Sequence, residues 1–204
     1  MKLIIGVDEA GRGPLAGPVT VGAFVAGKRA GNSILKNIFG DKLRDSKKLT
    51  PNKREEIYKK FLELQKAKKI GFSVSHISNK VIDKQGISKA IQLGVNRSLN
   101  KLHHTFLGEG DPPQFRLDGL LKAPPKYKNQ KTIIKGDEKD VFIACASIVA
   151  KVSRDALMCR LASKYPQYGF AIHKGYGTAL HRKLIKKLGT CPLHRFTFCK
   201  KIKI

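Results

Sequence analysis

The 204-residue sequence has no tryptophan, two methionines, four cysteines and only 15 acidic residues. No stretch approaches the roughly 18 consecutive apolar residues that a membrane helix needs. The N-terminal run Leu3, Ile4, Ile5, Gly6, Val7 stops at Asp8 and Glu9. Neither a membrane span nor a signal peptide is expected, and the chain reads as soluble and cytoplasmic. Cys145, Cys159, Cys191 and Cys199 contain no Cys-x-x-Cys pair, which argues against a disulfide scaffold and fits a reducing compartment. What is plentiful is positive charge. Against 15 acids stand 41 Lys and Arg, a formal net charge of +26, in a chain that is 41% apolar. That apolar fraction is too high for a disordered polycation, so a folded protein with a large positive field is expected.

Such a surplus exceeds what solubility requires and implies a polyanionic partner, most often nucleic acid. No acidic residue follows Asp155, while Arg160, Lys164, Lys174, Arg182, Lys183, Lys186, Lys187, Arg195 and Lys200 continue the basic series. Residues 119–136 are also acid-free and carry Lys122, Lys126, Lys128, Lys131 and Lys135. Both blocks read as surfaces that follow a phosphate chain.

The periodicity predicts one mixed α/β domain over 1–204. Residues 2–7 and 19–26 read as strands forming an opening meander, with Gly and Pro between them. Thr50-Pro51 is a helix start, an N-cap followed by proline at the first helical position, for a helix to about Lys68. Residues 70–75 read as a strand. Ile87, Ile91, Val95, Leu99 and Leu102 recur every three or four positions and predict an amphipathic helix. Residues 115–117 and 132–134 are short β-prone runs, each next to an acid and a glycine. A closely packed buried helix is predicted over 139–163, a helix over 178–188 and an irregular basic tail after it. Residues from about 156 to 204 form a basic, helical C-terminal part expected to contribute to nucleic-acid binding.

Asp8, Glu9, Asp118 and Asp137 are the acids placed where strands are predicted to end. If the sheet brings those ends together, four carboxylates surround one point. Two unit charges about 4 Å apart repel by roughly 1 kcal/mol in water and roughly 4 kcal/mol at an effective dielectric near 20, so the cluster needs cations. Oxygen-only ligands select hard ions, Mg²⁺ or Mn²⁺. In a strongly basic protein, this arrangement suits phosphodiester hydrolysis with two ions. Each acid also has a plainer reading. Asp118-Gly119 is a hairpin-turn signal, Asp137 an N-cap with Asp140 in the first turn behind it, and Asp8-Glu9 a solvated loop start. A non-enzymatic RNA-binding protein is the competing function that the charge alone would support, but such a binder has no use for four clustered acids.

Gly11-Arg12-Gly13-Pro14-Leu15-Ala16-Gly17-Pro18 follows a strand directly. A dinucleotide-binding loop would have to run into a helix, whereas Pro18 and the β-prone residues 19–25 point to another strand. Closely spaced glycines around an arginine let backbone amides approach a sugar-phosphate chain, and they also make a tight turn.

The run from Gly6 to Pro18 resembles the N-terminal signature of ribonuclease HII, the type 2 RNase H family. The resemblance continues through Asp45-Ser46-Lys47-Lys48-Leu49, Asp118-Gly119, Lys135-Gly136-Asp137, the block from Ala144 to Asp155, Tyr165-Pro166-Gln167-Tyr168-Gly169 and His173-Lys174-Gly175-Tyr176-Gly177-Thr178. It covers nearly the whole chain in order, and matches poorly at 27–43 and 199–204. It implies an RNase H-like fold, a central mixed β-sheet flanked by helices with a C-terminal helical extension. It further implies endonucleolytic cleavage of RNA in RNA/DNA hybrids and 5′ to single ribonucleotides in duplex DNA. The ends would be 3′-hydroxyl and 5′-phosphate, as suits ribonucleotide excision repair by a monomer. By position Asp8, Glu9, Asp118 and Asp137 would be the catalytic carboxylates, holding two Mg²⁺ or Mn²⁺ ions with substrate. Gly11, Arg12 and Gly13 would read the ribonucleotide 2′-hydroxyl and the junction. Tyr176 would stack on the sugar after the cleaved linkage, and Ser46 and Lys47 are candidate phosphate contacts. Cys191, His194, Cys199 and upstream His181 match zinc-ligand spacing only loosely, and packing is the favoured reading. Lys151 and Asp155 read as a helical ion pair.

Overall fold

The computed structural model describes residues 2–39, 49–106, 111–200 and 202. Five strands form one sheet in the order β3-β2-β1-β4-β5. β1 (Leu3–Ala10) pairs antiparallel with β2 (Val19–Gly27), in register from Leu3 opposite Gly27 to Ala10 opposite Thr20, which makes the expected meander. β2 pairs antiparallel with β3 (Gly71–Ile77). On its other side β1 runs parallel to β4 (Gln114–Asp118), and β4 parallel to β5 (Gln130–Ile133). The sheet is therefore mixed, and β1, β4 and β5 finish at the same edge.

Helices cover both faces. α1 (Lys28–Phe39) and α2 (Pro51–Lys66) follow β2, and Thr50 caps α2 by accepting from the Lys53 amide. α3 (Asn79–Gln85) leads into α4 (Ile87–Phe106), whose Ile91, Val95, Leu99 and Leu102 pack on one sheet face with Ile5, Val7, Val21 and Leu117. Each such buried side chain contributes about 1.5–3 kcal/mol, against about 1 kcal/mol for a helix cap, so packing fixes where α4 lies.

The other face carries α5 (Gly136–Lys139) and α6 (Val141–Ala162). Phe142, Cys145, Ala146 and Val149 of α6 pack with Ile4 and Phe24 of the sheet and Ile57 and Phe61 of α2. Two glycines let α6 lie unusually close. A Cβ on Gly6 would meet the Phe142 carbonyl oxygen at 2.1 Å, and one on Gly22 the Ala146 carbonyl oxygen at 2.5 Å. Asp8 sits opposite Gly22 in the register, so this approach also decides what stands over Asp8.

Beyond α6 the chain makes a short 3-10 turn (Pro166–Tyr168) and three helices, α7 (Phe170–His173), α8 (Ala179–Leu188) and α9 (Phe196–Cys199). α6 runs straight through residue 156. The C-terminal part is an extension packed on the distal half of α6 and on the 11–18 loop, through a cluster of Ala16, Met158, Tyr168, Phe170 and Cys191. Among the described residues no helix is long and apolar enough to cross a membrane.

Several local expectations change. Asp8 and Glu9 lie within β1, which continues to Ala10, and are not a solvated loop start. Asp118-Gly119 is no hairpin, because the strands that it separates are parallel. Asp137 is not the cap of the long helix. Asp140 is, accepting from the Phe142 and Ile143 amides at 3.0 and 3.3 Å while Arg116 donates to its other oxygen at 2.5 Å. The tail is not wholly irregular, since it contains α9.

Candidate active site

The sheet brings its acidic strand ends together. Val7 pairs with Leu117, so Asp8 and Asp118, each one residue on, stand at the same level of the parallel ladder. Asp118 pairs with Ile133 at the end of β5, and Asp137 follows in α5. All four carboxylates, from Asp8, Glu9, Asp118 and Asp137, line one cleft of about 410 Å³. It opens outside the carboxyl ends of the parallel strands, where ligand sites form in open α/β sheets.

Asp8 and Asp137 are each only 5% exposed. Burial raises the Asp8 carboxyl well above its usual range, and the charges of Glu9 and Asp118 raise it further; the Ser147 hydroxyl and the Glu9 amide, donating to it, oppose this. Glu9 is raised too, chiefly by burial, with Arg12 lowering it through a 3.1 Å ion pair and Asp118 raising it. Asp118 accepts from the Gly136 amide at 2.6 Å, which ties β4 to the turn bearing Asp137. The cleft thus holds acids that repel one another, with Arg12 offsetting the charge of Glu9.

No three His, Cys, Asp or Glu among the described residues are arranged to hold a metal ion as they stand. The four carboxylates nonetheless line the same cleft. Their chemistry fits hard divalent ions: every donor is oxygen, and the strained ionisation of Asp8 and Glu9 is relieved by added positive charge.

The 11–18 loop forms the next wall. Gly11 has φ +88°, and a Cβ there would meet the Arg154 side chain at 2.0 Å. Around Gly13 there is open space, so nothing in the fold requires a glycine and the bare backbone faces the cleft. Two fully buried guanidinium groups hold the loop from behind. Arg154 donates to the carbonyls of Pro18 and Ala16, and Arg195 to those of Gly17, Arg12 and Gly11 at 2.9, 2.9 and 2.7 Å. Burial, with Arg154 nearby, pulls the Arg195 pKa down to about 9. Tyr176 stands on the far side, 38% exposed, its ring centroid 5.1 Å from Lys151 Nζ and 5.4 Å from Arg154 Cζ.

Residues 5–201 match the family model of ribonuclease HII. The chain belongs to the ribonuclease HII family. It is 43% identical over 201 residues to the ribonuclease HII of Caldicellulosiruptor bescii, covering 98% of this chain and 88% of that one. It is 45% identical over 195 residues to that of Dehalococcoides mccartyi, covering 96% and 85%. Its fold is similar to that of the ribonuclease H2 from Pyrococcus horikoshii OT3, with TM-score 0.73 and 26% identity over 98% of this chain and 96% of the other. The sheet and its flanking helices are accordingly an RNase H fold, and the protein is a type 2 ribonuclease H, a metal-dependent endoribonuclease acting on RNA in RNA/DNA hybrids.

Within this ribonuclease HII fold, the sequence-predicted residues Asp8, Glu9, Gly11, Arg12, Gly13, Asp118, Asp137 and Tyr176 all meet at one cleft. Ser46 and Lys47 lie outside the described residues. The loosely zinc-like set is packing: His181 and His194 bond to each other through Nε2 atoms 3.1 Å apart, and Cys199 donates to the Leu15 carbonyl. Arg195 is not part of the phosphate-following surface, because it is wholly buried behind the loop. Sequence reasoning missed Arg54, Ser147 and Lys151 as cleft residues. Ser147 and Lys151 lie one turn apart on α6, four and eight residues after Ile143, within the Ala144–Asp155 block that carries the family resemblance. Lys151 also makes the expected pair with Asp155, at 3.0 Å.

Proposed function

We propose that this ribonuclease cuts 5′ to ribonucleotides, both in continuous RNA/DNA hybrids and at single ribonucleotides embedded in duplex DNA, leaving 3′-hydroxyl and 5′-phosphate ends. The supporting observation is that acids at positions 8, 9, 118 and 137 line one cleft in a chain of net charge +26. A passive binder of nucleic acid would only weaken its own field by burying acids there.

Asp8, Glu9, Asp118 and Asp137 would hold divalent ions, Mg²⁺ or Mn²⁺, two per site with substrate, which supply an activated water and stabilise the departing oxygen. The chain's own residues do the rest. Glu9 fixes Arg12 at the cleft rim, within reach of a phosphate. Lys151 and Arg54 add positive charge to the same wall. The open backbone from Gly11 to Gly13, held rigid by Arg154 and Arg195, approaches the ribose closely enough to sense a 2′-hydroxyl, the one group that separates RNA from DNA at a single position. Tyr176 offers a flat apolar face, which suits a deoxyribose on the next residue better than a hydroxylated sugar. The basic C-terminal extension with α8 tracks the duplex backbone. One copy of the chain supplies every group, so the reading needs only a monomer.

Cleavage-site mapping on a duplex containing one ribonucleotide, with and without Mg²⁺ or Mn²⁺, tests this. A single cut 5′ to the ribonucleotide that depends on the ion is expected. Equal turnover by the wild type, Asp118→Asn and Asp137→Asn would overturn the assignment.

A further inference from the structure

Behind Tyr176, away from the acids, three histidines are buried together: His173 of α7, His181 of α8 and His194 of the turn before α9. The rings of His173 and His181 stack with centroids 4.1 Å apart, and Phe170 presents its edge or face to all three. The catalytic reading uses none of them, yet the hydrogen bonds have a direction that leads to the cleft.

The Cys191 amide is 2.8 Å from His194 Nδ1. An amide can only donate, so that nitrogen accepts and the proton of His194 sits on Nε2. His194 Nε2 faces His181 Nε2 at 3.1 Å, which must accept in turn. The proton of His181 is then on Nδ1, 2.9 Å from the carbonyl of Tyr176. The opposite arrangement, with His194 donating from Nδ1 to the Cys191 carbonyl at 3.2 Å, would leave the Cys191 amide without its acceptor and set a bare His181 nitrogen against the Tyr176 oxygen. His173 is fixed independently, since its Nδ1 accepts from the Gly175 amide at 3.2 Å and its Nε2 donates to the Tyr168 carbonyl at 2.7 Å.

We propose that His181 and His194 are positioning residues: a neutral relay of fixed tautomers from the Cys191 amide to the Tyr176 carbonyl that sets the place of the tyrosine ring in the cleft and so its preference for a ribo-to-deoxyribo junction. The role rests on the reading of Tyr176 given above. Its backbone is held on the other side as well, by Tyr176 N donating to His173 O at 2.9 Å and Thr178 N to Tyr176 O at 2.8 Å, so the carbonyl has little freedom once His181 is in place. The preceding residue joins the two walls of the cleft, because the Gly175 carbonyl accepts from Leu15 and Ala16 of the glycine loop.

The relay has no place for an added proton. Lys174 beside His173, Tyr168 and Cys191 around His194, Arg182 on α8, and Arg154 and Arg195 across the loop are the titratable or cationic groups around it. The acid on the neighbouring α3, Asp83, is taken up by the Phe196 and Thr197 amides and the Thr197 hydroxyl, and no acid follows Asp155. Burial keeps all three imidazoles less basic than usual, with Lys174 adding to this at His173 and the neighbouring rings at His181 and His194.

The experiment compares kcat/KM on a duplex with one ribonucleotide and on a uniform RNA/DNA hybrid, both with Mg²⁺, for the wild type, His181→Phe, His181→Asn, Tyr176→Ala and the His181→Phe/Tyr176→Ala double variant. His181→Phe should lower the junction preference by about tenfold, since a misplaced group costs that much or more. His181→Asn, whose amide nitrogen falls near the lost Nδ1, should recover most of it. The double variant should be no worse than Tyr176→Ala, because the relay acts through the tyrosine. Imidazole ¹⁵N spectra should show a proton on Nδ1 of His181 and on Nε2 of His194. A preference that falls with Tyr176→Ala but not with His181→Phe would overturn the relay alone. A preference untouched by Tyr176→Ala would overturn the tyrosine's role and the relay with it, and the reverse tautomers would overturn the relay whatever the kinetics.

Discussion

The guanidinium of Arg195 donates to the carbonyl of Gly11 at 2.7 Å, joining groups 184 positions apart in the sequence. The same side chain serves the carbonyls of Arg12 and Gly17, so a single residue holds the glycine loop at three points. Arg195→Met should leave three buried acceptors without donors and lower stability by about 3–5 kcal/mol. Arg195→Lys should recover little, because a compact ammonium cannot span the fork. Urea unfolding of the three proteins measures this; an Arg195→Met variant as stable as the wild type would refute it.

Asp118→Asn should abolish cleavage while leaving substrate binding intact. In ion-free protein it should also raise stability by about 1 kcal/mol, because one of the two charges that oppose ionisation of Asp8 is gone while an amide oxygen still accepts from Gly136. Thermal unfolding in a chelator, with and without added Mg²⁺, checks both halves. The gain should vanish or reverse when the ion is present.

Acid should destabilise the C-terminal extension before it affects the sheet. His181 is held neutral with its pKa lowered to about 4, chiefly by burial. In the unfolded chain the imidazole returns to about 6.5, so the unfolded state binds more protons between those values and stability falls as the pH drops through that window. At neutral pH the imidazole is uncharged in both states and costs nothing, whereas below pH 4 the fold bears the full penalty of burying its charge. Unfolding measured from pH 7 to pH 4 should show this slope, and His181→Asn should lessen it, leaving the part that His173 and His194 carry.

Tyr176→Ala should weaken the preference for a ribo-to-deoxyribo junction more than it weakens overall affinity, because the ring supplies a surface and not a charge. Lys151, no longer over an aromatic face, keeps its attraction for phosphate. Binding and cleavage measured on matched duplexes separate the two effects, and a parallel fall would refute the role.

Gly22→Ala should cost about 2–4 kcal/mol and nearly all activity, although residue 22 touches nothing in the cleft. Its Cβ would lie 2.5 Å from the Ala146 oxygen and 2.8 Å from the Ala150 nitrogen, both backbone atoms that cannot turn aside. α6 would have to lift, taking Ser147 away from Asp8. Denaturation and turnover of this variant test the link between helix docking and the site.

The elements with strong local rules were legible in the sequence. The Thr50 cap, the apolar stripe of α4 and the acids beside β-prone runs each announce themselves within a few residues, and the structure places all three as expected. Asp137 and Asp140 could not be told apart as caps, because both precede the same helix and only the turn of α5 between them decides. Asp118-Gly119 has a hairpin's local sequence, but strand direction is set by β1 running between β2 and β4. The burial of Arg195 was illegible for the same reason: an arginine in a basic tail looks like surface until its partners, the carbonyls of Gly11 and Gly17, are brought from the other end of the chain. The long motif blocks that resemble ribonuclease HII carried that non-local information, which periodicity does not.

The hold of Arg195 on Gly11 also sets an order of events at birth. The first strand and the loop behind it leave the ribosome early, whereas the side chain that fastens the loop is added almost two hundred residues later. A partly made polypeptide can lay down β1, β2 and their meander, but its catalytic mouth stays unfinished until Arg195 has been added.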